Sequence, residues 1–161
     1  MSLACKAGWG VSAVLAGVIV IGGYKLIVQG HTVPSEDGRT VVLLSEDERN
    51  RVLAEMRGLL EAAKGITQAA VVGDMETVAA EARAVGMAAA DGESPALMAK
   101  LPLDFLQLGM SAHKAMDDLA DLALTTDDPL VVLGAMGEAM EACTGCHAGY
   151  RLGVEGIDGD L

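Results

Sequence analysis

The fold is decided by residues 127–151, which read DDPLVVLGAMGEAMEACTGCHAGYR. Asp128 followed by Pro129 predicts the start of a helix, with aspartate at the N-cap and proline at the first helical position. From there, candidate inward-facing side chains recur every three or four residues: Leu133, Met136, Met140, Cys143, His147 and Tyr150. We therefore expect a long helix, continuing to Tyr150, that carries two cysteines and a histidine on one face.

The end of this helix has the spacing of a covalent haem attachment site. Cys143 and Cys146 are three residues apart, so their thiols can add to the two vinyl groups of one haem, and His147 can reach the iron. The alternative is a redox-active or zinc-binding Cys-x-x-Cys pair followed by a chance histidine. Zinc needs further ligands, but the nearest other histidine is His113 and the only other cysteine is Cys5. We therefore predict one covalently attached haem c.

The composition of the chain favours an all-α fold. At 161 residues the chain has room for one ordinary domain with an appendage. Hydrophobic residues make up 52% of it but aromatic residues only 2%, so Ala, Val, Leu and Met must build the core. Such a composition suits packed helices better than a β-sandwich, in which β-branched and aromatic residues are enriched.

Four amphipathic helices are predicted between residue 45 and the C-terminus. Ser45 and Glu48 form a capping-box pattern before a helix over residues 46–71. Further apolar stripes and turn signals predict helices over residues 75–90, from Leu101-Pro102 to about residue 124, and from Pro129 onward. Four such helices with short connections describe an antiparallel four-helix bundle, with a cofactor between facing helices. We assign residues 45–161 to this haem domain.

The N-terminus carries an almost uncharged apolar run over residues 8–28. Its length suits one crossing of a bilayer, and Trp9 and Tyr24 near its ends suit the two membrane interfaces. We predict a retained membrane anchor over residues 1–29, followed by a linker over residues 30–44. A cleaved signal peptide is the alternative, but no Ala-x-Ala-like cleavage site follows the run.

The charge distribution bears on the choice of partners. The formal net charge is −12, and from Glu36 onward nine Lys and Arg stand against 23 Asp and Glu. A nucleic acid is not expected, because binding to phosphates needs a basic face. Long-range attraction favours redox protein partners with a basic docking face, and the chain could also form a homodimer or join a membrane complex. No nucleophile, acid/base pair or second metal cluster is recognisable, so we do not expect an enzyme.

The motif and its position resemble those of class II c-type cytochromes, the cytochrome c prime family. Cys143-Thr-Gly-Cys146-His147-Ala-Gly-Tyr150-Arg151 is similar to the family pattern Cys-x-x-Cys-His-x-x-Tyr-Lys/Arg near the C-terminus. The resemblance implies thioethers at both cysteines, His147 as the proximal iron ligand and Arg151 close to its imidazole. It also implies a bacterial protein with its haem domain in the periplasm. The single-pass anchor in the cytoplasmic membrane departs from the soluble family pattern.

The same resemblance bears on the opposite face of the haem. Arg49-Asn-Arg-Val-Leu53 is similar to the family's first-helix pattern Arg-Gln-x-x-(Leu/Met), which implies that Arg49 lies at the haem and that Leu53 lies over the iron without a sixth ligand. One turn further along, Met56 could bind the iron instead, and the alternative for it is an ordinary core position. His113 is another possible sixth ligand, and the alternative for it is a histidine beside Asp117 on the bundle surface.

Three functions are consistent with these features. Two strong axial ligands favour electron transfer, whereas an iron with an open position binds diatomic gases. The leading hypothesis is a membrane-tethered periplasmic cytochrome that carries single electrons between redox partners. The alternatives are a five-coordinate haem protein that binds nitric oxide or carbon monoxide, and an anchored haem subunit of a larger respiratory or photosynthetic complex.

Overall fold

The computed structural model of the protein describes residues 3–158, which form a mostly helical fold with one small sheet. The helices are α1 (Leu3–Gly23), α2 (Glu46–Val71), α3 (Met75–Ala84), α4 (Met87–Ala90), α5 (Pro95–Lys100), α6 (Leu103–Ala123) and α7 (Pro129–Gly149). The strands are β1 (Thr32–Pro34), β2 (Thr40–Leu44) and β3 (Tyr150–Val154). Helix α1 continues into a π-helical segment, Tyr24–Gln29.

Local caps begin the long helices where the sequence predicts. The Ser45 hydroxyl accepts from the Glu48 N–H at 3.3 Å, and the Glu48 carboxylate accepts from the Ser45 N–H at 2.8 Å, so the capping box before α2 is confirmed. Asp128 accepts from the Leu130 N–H at 2.9 Å and precedes Pro129, which confirms the start of α7. These caps satisfy backbone N–H groups that have no partner within the helix.

Helices α2, α3, α6 and α7 surround one aliphatic core. Helix α2 packs against α3 and α7, and α6 also packs against both α3 and α7. Their buried side chains are almost all Ala, Val, Leu, Ile and Met, as the low aromatic content requires. Helix α3 runs antiparallel to α6, because Arg83 pairs with Asp117 and Asp121 while Val85 contacts the earlier residue His113.

The predicted helix over residues 75–90 is interrupted. Helix α3 ends at Ala84, and α4 begins at Met87 after Gly86. Gly86 lies against the Asp117 carboxylate, where any Cβ atom would overlap it. The same carboxylate accepts from the Met87 N–H at 2.9 Å and so provides a cap from another helix. The predicted helix over residues 75–90 is therefore broken by a contact with α6, which the local sequence pattern does not reveal.

The segment predicted as a linker instead forms two strands. Strands β1 and β2 make an antiparallel hairpin whose turn contains Asp37-Gly38, with Gly38 at φ +85°. Strand β2 pairs in parallel with β3, in a register that places Thr40 opposite Tyr150 and Leu44 opposite Val154. The prediction of a purely α-helical fold is thus wrong in this part, and Tyr150 begins a strand rather than ending α7.

Strand β2 is among the most deeply buried segments of the described chain. Its residues Val41–Leu44 are between 0% and 4% exposed. Val42 and Leu44 belong to a second buried cluster with Leu97 and Phe105, and Cys146 and Tyr150 pack against this cluster. The small sheet therefore supports the C-terminal end of α7, where the predicted haem motif lies.

The N-terminal helix is long and apolar enough to cross a membrane, over Trp9–Gln29. None of that span is buried inside the protein. It joins the domain through Gly30, whose φ of +62° and close contact with the backbone of Lys100–Pro102 leave no room for a Cβ atom. The His31 N–H then donates to the Lys100 carbonyl at 2.7 Å, so the junction is bound directly to the domain.

Candidate functional site

A cavity of about 560 Å³ lies between α2, α6 and α7. Its walls come from residues within 52–63 of α2, 105–116 of α6 and 136–147 of α7. Apolar side chains form most of this lining. Three helices thus enclose a space with the size and character of a small-molecule or cofactor site.

Helix α7 presents Cys143, Cys146 and His147 to this cavity. Their spacing places them on one face of the helix, as predicted from the i, i+3, i+4 pattern. Both cysteines are free thiols and half-buried, whereas His147 is exposed. The two thiols and the imidazole therefore share the wall of one apolar cavity.

The thiol of Cys146 has a raised pKa, first because it is buried and second because Cys143 lies nearby. A redox-active Cys-x-x-Cys pair usually has a lowered thiol pKa, because its thiolate is the reactive form. Within the part of the chain that the structure describes, no group of three or more His, Cys, Asp and Glu side chains is arranged to hold a metal ion.

Leu53 and Met56, which are both half-buried on α2, also line the cavity. The structure therefore brings both residues predicted for the second face of a haem to the same cavity as His147. Met140, on α7, also lines the cavity and is 44% exposed, so it lies at the opening. Sequence periodicity alone does not separate such a residue from the core methionines.

His113 is buried. The interpretation of His113 as a histidine on the bundle surface is therefore wrong. His113 is 4% exposed and lines the cavity from α6. Its Nδ1 lies 2.9 Å from the Val85 carbonyl oxygen and its Nε2 lies 2.8 Å from Oε1 of Glu55. Both ring nitrogens thus have protein partners, which leaves neither free to bind iron in this arrangement.

The hydrogen bond that His113 donates to the Glu55 carboxylate raises the pKa of His113, and this effect outweighs the opposing effect of burial. Glu55 was not identified as a site residue from the sequence, because a glutamate on an amphipathic helix usually faces solvent. Here the Glu55 carboxylate joins α2 to α6 beside the cavity. Only the packing of two helices reveals this pair.

Arg49 and Arg151, which the family resemblance places at the haem, do not line the cavity. Arg49 is half-buried near the start of α2. Arg151 lies in β3, where its Nε donates to the Ser35 hydroxyl at 3.0 Å. Arg151 lies away from the cavity because α7 ends at Gly149, so the residues after it leave the helical face that carries His147.

Arg39 approaches the end of α7 from the β1–β2 hairpin. Its Nη1 is 3.5 Å from the carbonyl oxygens of both His147 and Tyr150. Asp37 orients the guanidinium by accepting from Nε at 2.9 Å and Nη2 at 2.7 Å, and these bonds lower the pKa of Asp37. A cation suits the negative end of a helix dipole, but no local pattern in the sequence indicates this contact.

Comparisons with known proteins find no relative of this chain. No family model, no curated protein and no solved structure matches the chain.

Proposed function

We propose that the protein is a membrane-tethered mono-haem cytochrome that carries single electrons between redox partners. The observation that carries the proposal is the shared cavity: Cys143, Cys146 and His147 line an apolar space that Leu53 and Met56 also line. The four helices that pack in a ring around one core support the interpretation as a four-helix bundle of the cytochrome c prime type. The role is that of a carrier and not of an enzyme.

The residues of the cavity fit a haem c. Its volume of about 560 Å³ and its apolar walls suit a flat apolar macrocycle. Cys143 and Cys146 would hold the vinyl groups as thioethers, and His147 would bind the iron on the α7 side. A bound haem supplies a one-electron iron couple. The aliphatic side chains of α2 and α6 that line the cavity would shield a bound haem from water.

The proposed location is a bacterial cytoplasmic membrane, with the haem domain in the periplasm. The N-terminal apolar helix supports the membrane part of this proposal. A tethered carrier stays at a high local concentration near partners in the same membrane. The excess of acidic residues after Glu36 favours partners with a basic docking face.

Haem attachment is the first test. The full-length chain is produced together with a bacterial cytochrome c maturation system and is then denatured, and covalent haem is detected by haem staining and mass spectrometry. We expect one haem per chain in the wild type and none in the Cys143→Ser/Cys146→Ser variant. Cys5→Ser is the matched control and should retain the haem. A wild-type chain that matures without covalent haem contradicts the proposal.

An optical spectrum tests electron transfer against gas binding. For an electron carrier we expect sharp low-spin bands in the reduced protein and no change when carbon monoxide is added. Leu53 on the cavity wall is the observation that favours the second candidate, a five-coordinate protein that binds nitric oxide or carbon monoxide. A high-spin spectrum that shifts with carbon monoxide supports that second function and excludes the first.

A further inference from the structure

The helical domain ends in a cluster of exposed apolar side chains far from the cavity motif. We call this cluster the apolar tip, and its members are 45–77% exposed: Val71, Val72, Leu124, Leu130 and Val131. They come from the turn between α2 and α3 and from the turn between α6 and α7. Large exposed apolar patches on a soluble surface usually mark an interaction site.

The two turns lie at the same end of the domain. Helix α3 runs antiparallel to α6, so the start of α3 lies beside the end of α6. Ala70, Met75, Ala123 and Val132 each neighbour one of the turns, and all four belong to one buried cluster. The apolar tip therefore covers the end of that shared core.

The first turns of helix α7 also expose apolar side chains. From Pro129 to Gly137 the helix carries no polar side chain, and a helix that is apolar all round is usually buried all round. Leu130 is nevertheless 77% exposed and Val131 is 45% exposed, while the next residue, Val132, is fully buried. The N-terminal end of α7 therefore has an apolar face that residues 3–158 do not cover.

The rim of the apolar tip is acidic. Asp74, Glu76, Asp127 and Asp128 are exposed at the two turns, and the described ion pairs include none of them. The sequence has no Lys or Arg from residue 65 to 82 or from residue 115 to 150. An apolar centre with a purely acidic rim fits a partner surface with an apolar centre and a rim of lysine or arginine.

We propose that the apolar tip is the docking surface for a basic protein. A second copy of this chain is disfavoured, because two acidic rims repel each other at contact. The bilayer is disfavoured by position, because Gly30 joins the anchor to the domain at the start of α6 and the tip lies at its end. The 21 residues of α6 separate the two ends, by roughly 30 Å at 1.5 Å per residue.

The proposal concerns a surface outside the cavity and does not rest on the haem. The haem attachment test and the test of the apolar tip can therefore fail independently. Binding at the tip would bring a basic partner to the end of the domain opposite the Gly30 junction.

The test uses the full-length chain in phosphatidylcholine nanodiscs and two fluorescent helical peptides as probes. One peptide carries two leucines among six lysines, and the other carries serines in place of the leucines with the same lysines. Binding is followed by fluorescence anisotropy, with empty nanodiscs subtracted. We expect the leucine peptide to bind at least tenfold more tightly than the serine peptide.

Variants locate the binding. We expect the Val72→Ser/Leu124→Ser/Leu130→Ser variant to bind the leucine peptide at least tenfold more weakly than the wild type does. The three side chains are 68–77% exposed, so their replacement should leave folding intact. Ile157→Ser is the matched control, because Ile157 is 74% exposed but follows β3 at the other end of the domain. It should change the affinity less than twofold.

A charge variant tests the rim. We expect Glu76→Gln/Asp127→Asn to weaken binding of the leucine peptide and to reduce its salt dependence. These two residues are chosen because Asp74 and Asp128 also cap helices.

Three outcomes overturn the proposal. The first is equal affinity for the two peptides, which indicates attraction to the acidic surface in general. The second is unchanged binding in the serine triple variant. The third is concentration-dependent self-association of the wild type that the triple variant abolishes, which identifies a second copy of the chain as the occupant.

Discussion

At the scale of single residues, His113 has a structural environment that its sequence context does not indicate. It joins α6 to the end of α3 through the Val85 carbonyl and to α2 through Glu55. Because both ring nitrogens are bound, its main contribution is to stability and to the shape of the cavity wall. Met56 has no such partners and keeps its place as the candidate sixth ligand.

We predict that His113→Ala lowers the free energy of unfolding by about 1–3 kcal/mol, because a partly buried carbonyl and a partly buried carboxylate lose their partner. Urea unfolding at pH 7 measures the change. The optical spectrum of the haem-loaded protein should remain as in the wild type. A switch from a low-spin to a high-spin spectrum in this variant would identify His113 as an iron ligand after all.

For Met56→Ala, in contrast, we predict a change in the optical spectrum of the haem-loaded protein. If Met56 supplies the sixth ligand of the proposed electron carrier, its removal opens the iron, and the reduced protein should become high-spin and bind carbon monoxide. The matched control is Met140→Ala, because Met140 has the same chemistry and lines the same cavity from α7. An unaltered low-spin spectrum in Met56→Ala excludes Met56 as the ligand.

At the scale of secondary-structure elements, the start of α2 is tied to α5 and to the segment after β3. The carboxylate of Glu48 accepts from the Ser45 N–H at 2.8 Å and from Lys100 Nζ at 2.7 Å. Lys100 also pairs with Glu155 at 2.8 Å. The bond from Lys100, followed by that from the Ser45 backbone, lowers the pKa of Glu48 to about 2.

This shift predicts acid sensitivity. A carboxyl with a depressed pKa in the folded state stabilises the fold above its unfolded value, near 4.5, and this contribution is lost as the pH falls through about 2. We expect Glu48→Gln to lower the stability at pH 7 by up to about 1 kcal/mol, because half-exposed ion pairs contribute little. The loss of stability between about pH 5 and pH 2 should become smaller in this variant.

Urea unfolding at several pH values between 7 and about 2.5 checks this expectation over the range in which the carboxyl titrates. The matched control is Glu46→Gln, since Glu46 is exposed in the same first turn of α2 and forms none of the described ion pairs. An identical dependence of stability on pH for Glu48→Gln and the wild type contradicts the assignment of acid sensitivity to Glu48.

At the scale of the whole molecule, the small sheet links the N-terminal anchor to the end of α7. Only Gly30 and His31 separate the anchor from β1, and β2 pairs directly with β3. The cavity motif at the end of α7 is thus connected to the N-terminal apolar helix through paired strands and not through a flexible linker.

Two truncated chains distinguish a structural sheet from a linker. A chain beginning at residue 30 should be soluble without detergent and should melt cooperatively. A chain beginning at residue 45 lacks Val41–Leu44, which are 0–4% exposed, and should lose more than about 3 kcal/mol because a core segment is removed. Thermal melting followed by circular dichroism measures both chains.

If residues 30–44 were only a linker, the two truncated chains would have equal melting temperatures. Equal values would therefore show that the sheet contributes nothing to stability. Precipitation of the longer chain without detergent would show that apolar surface outside α1 holds the protein in the membrane.

The amino-acid sequence by itself determined the features whose causes are local. The caps at Ser45 and Asp128, the apolar run of the anchor and the face that carries Cys143, Cys146 and His147 depend on residues within a few turns of one another. For this reason the starts and ends of α2, α6 and α7 could be predicted closely.

Only the tertiary structure decided the features that depend on distant partners. Strand β2 needs β3, more than a hundred residues away, so four consecutive apolar residues looked like part of a linker. The partners of His113 come from two other segments, and the cavity needs three helices to enclose it. Spacing along one helix could place the two thiols and the imidazole on one face, but only packing between helices gives that face an apolar space to bind a cofactor.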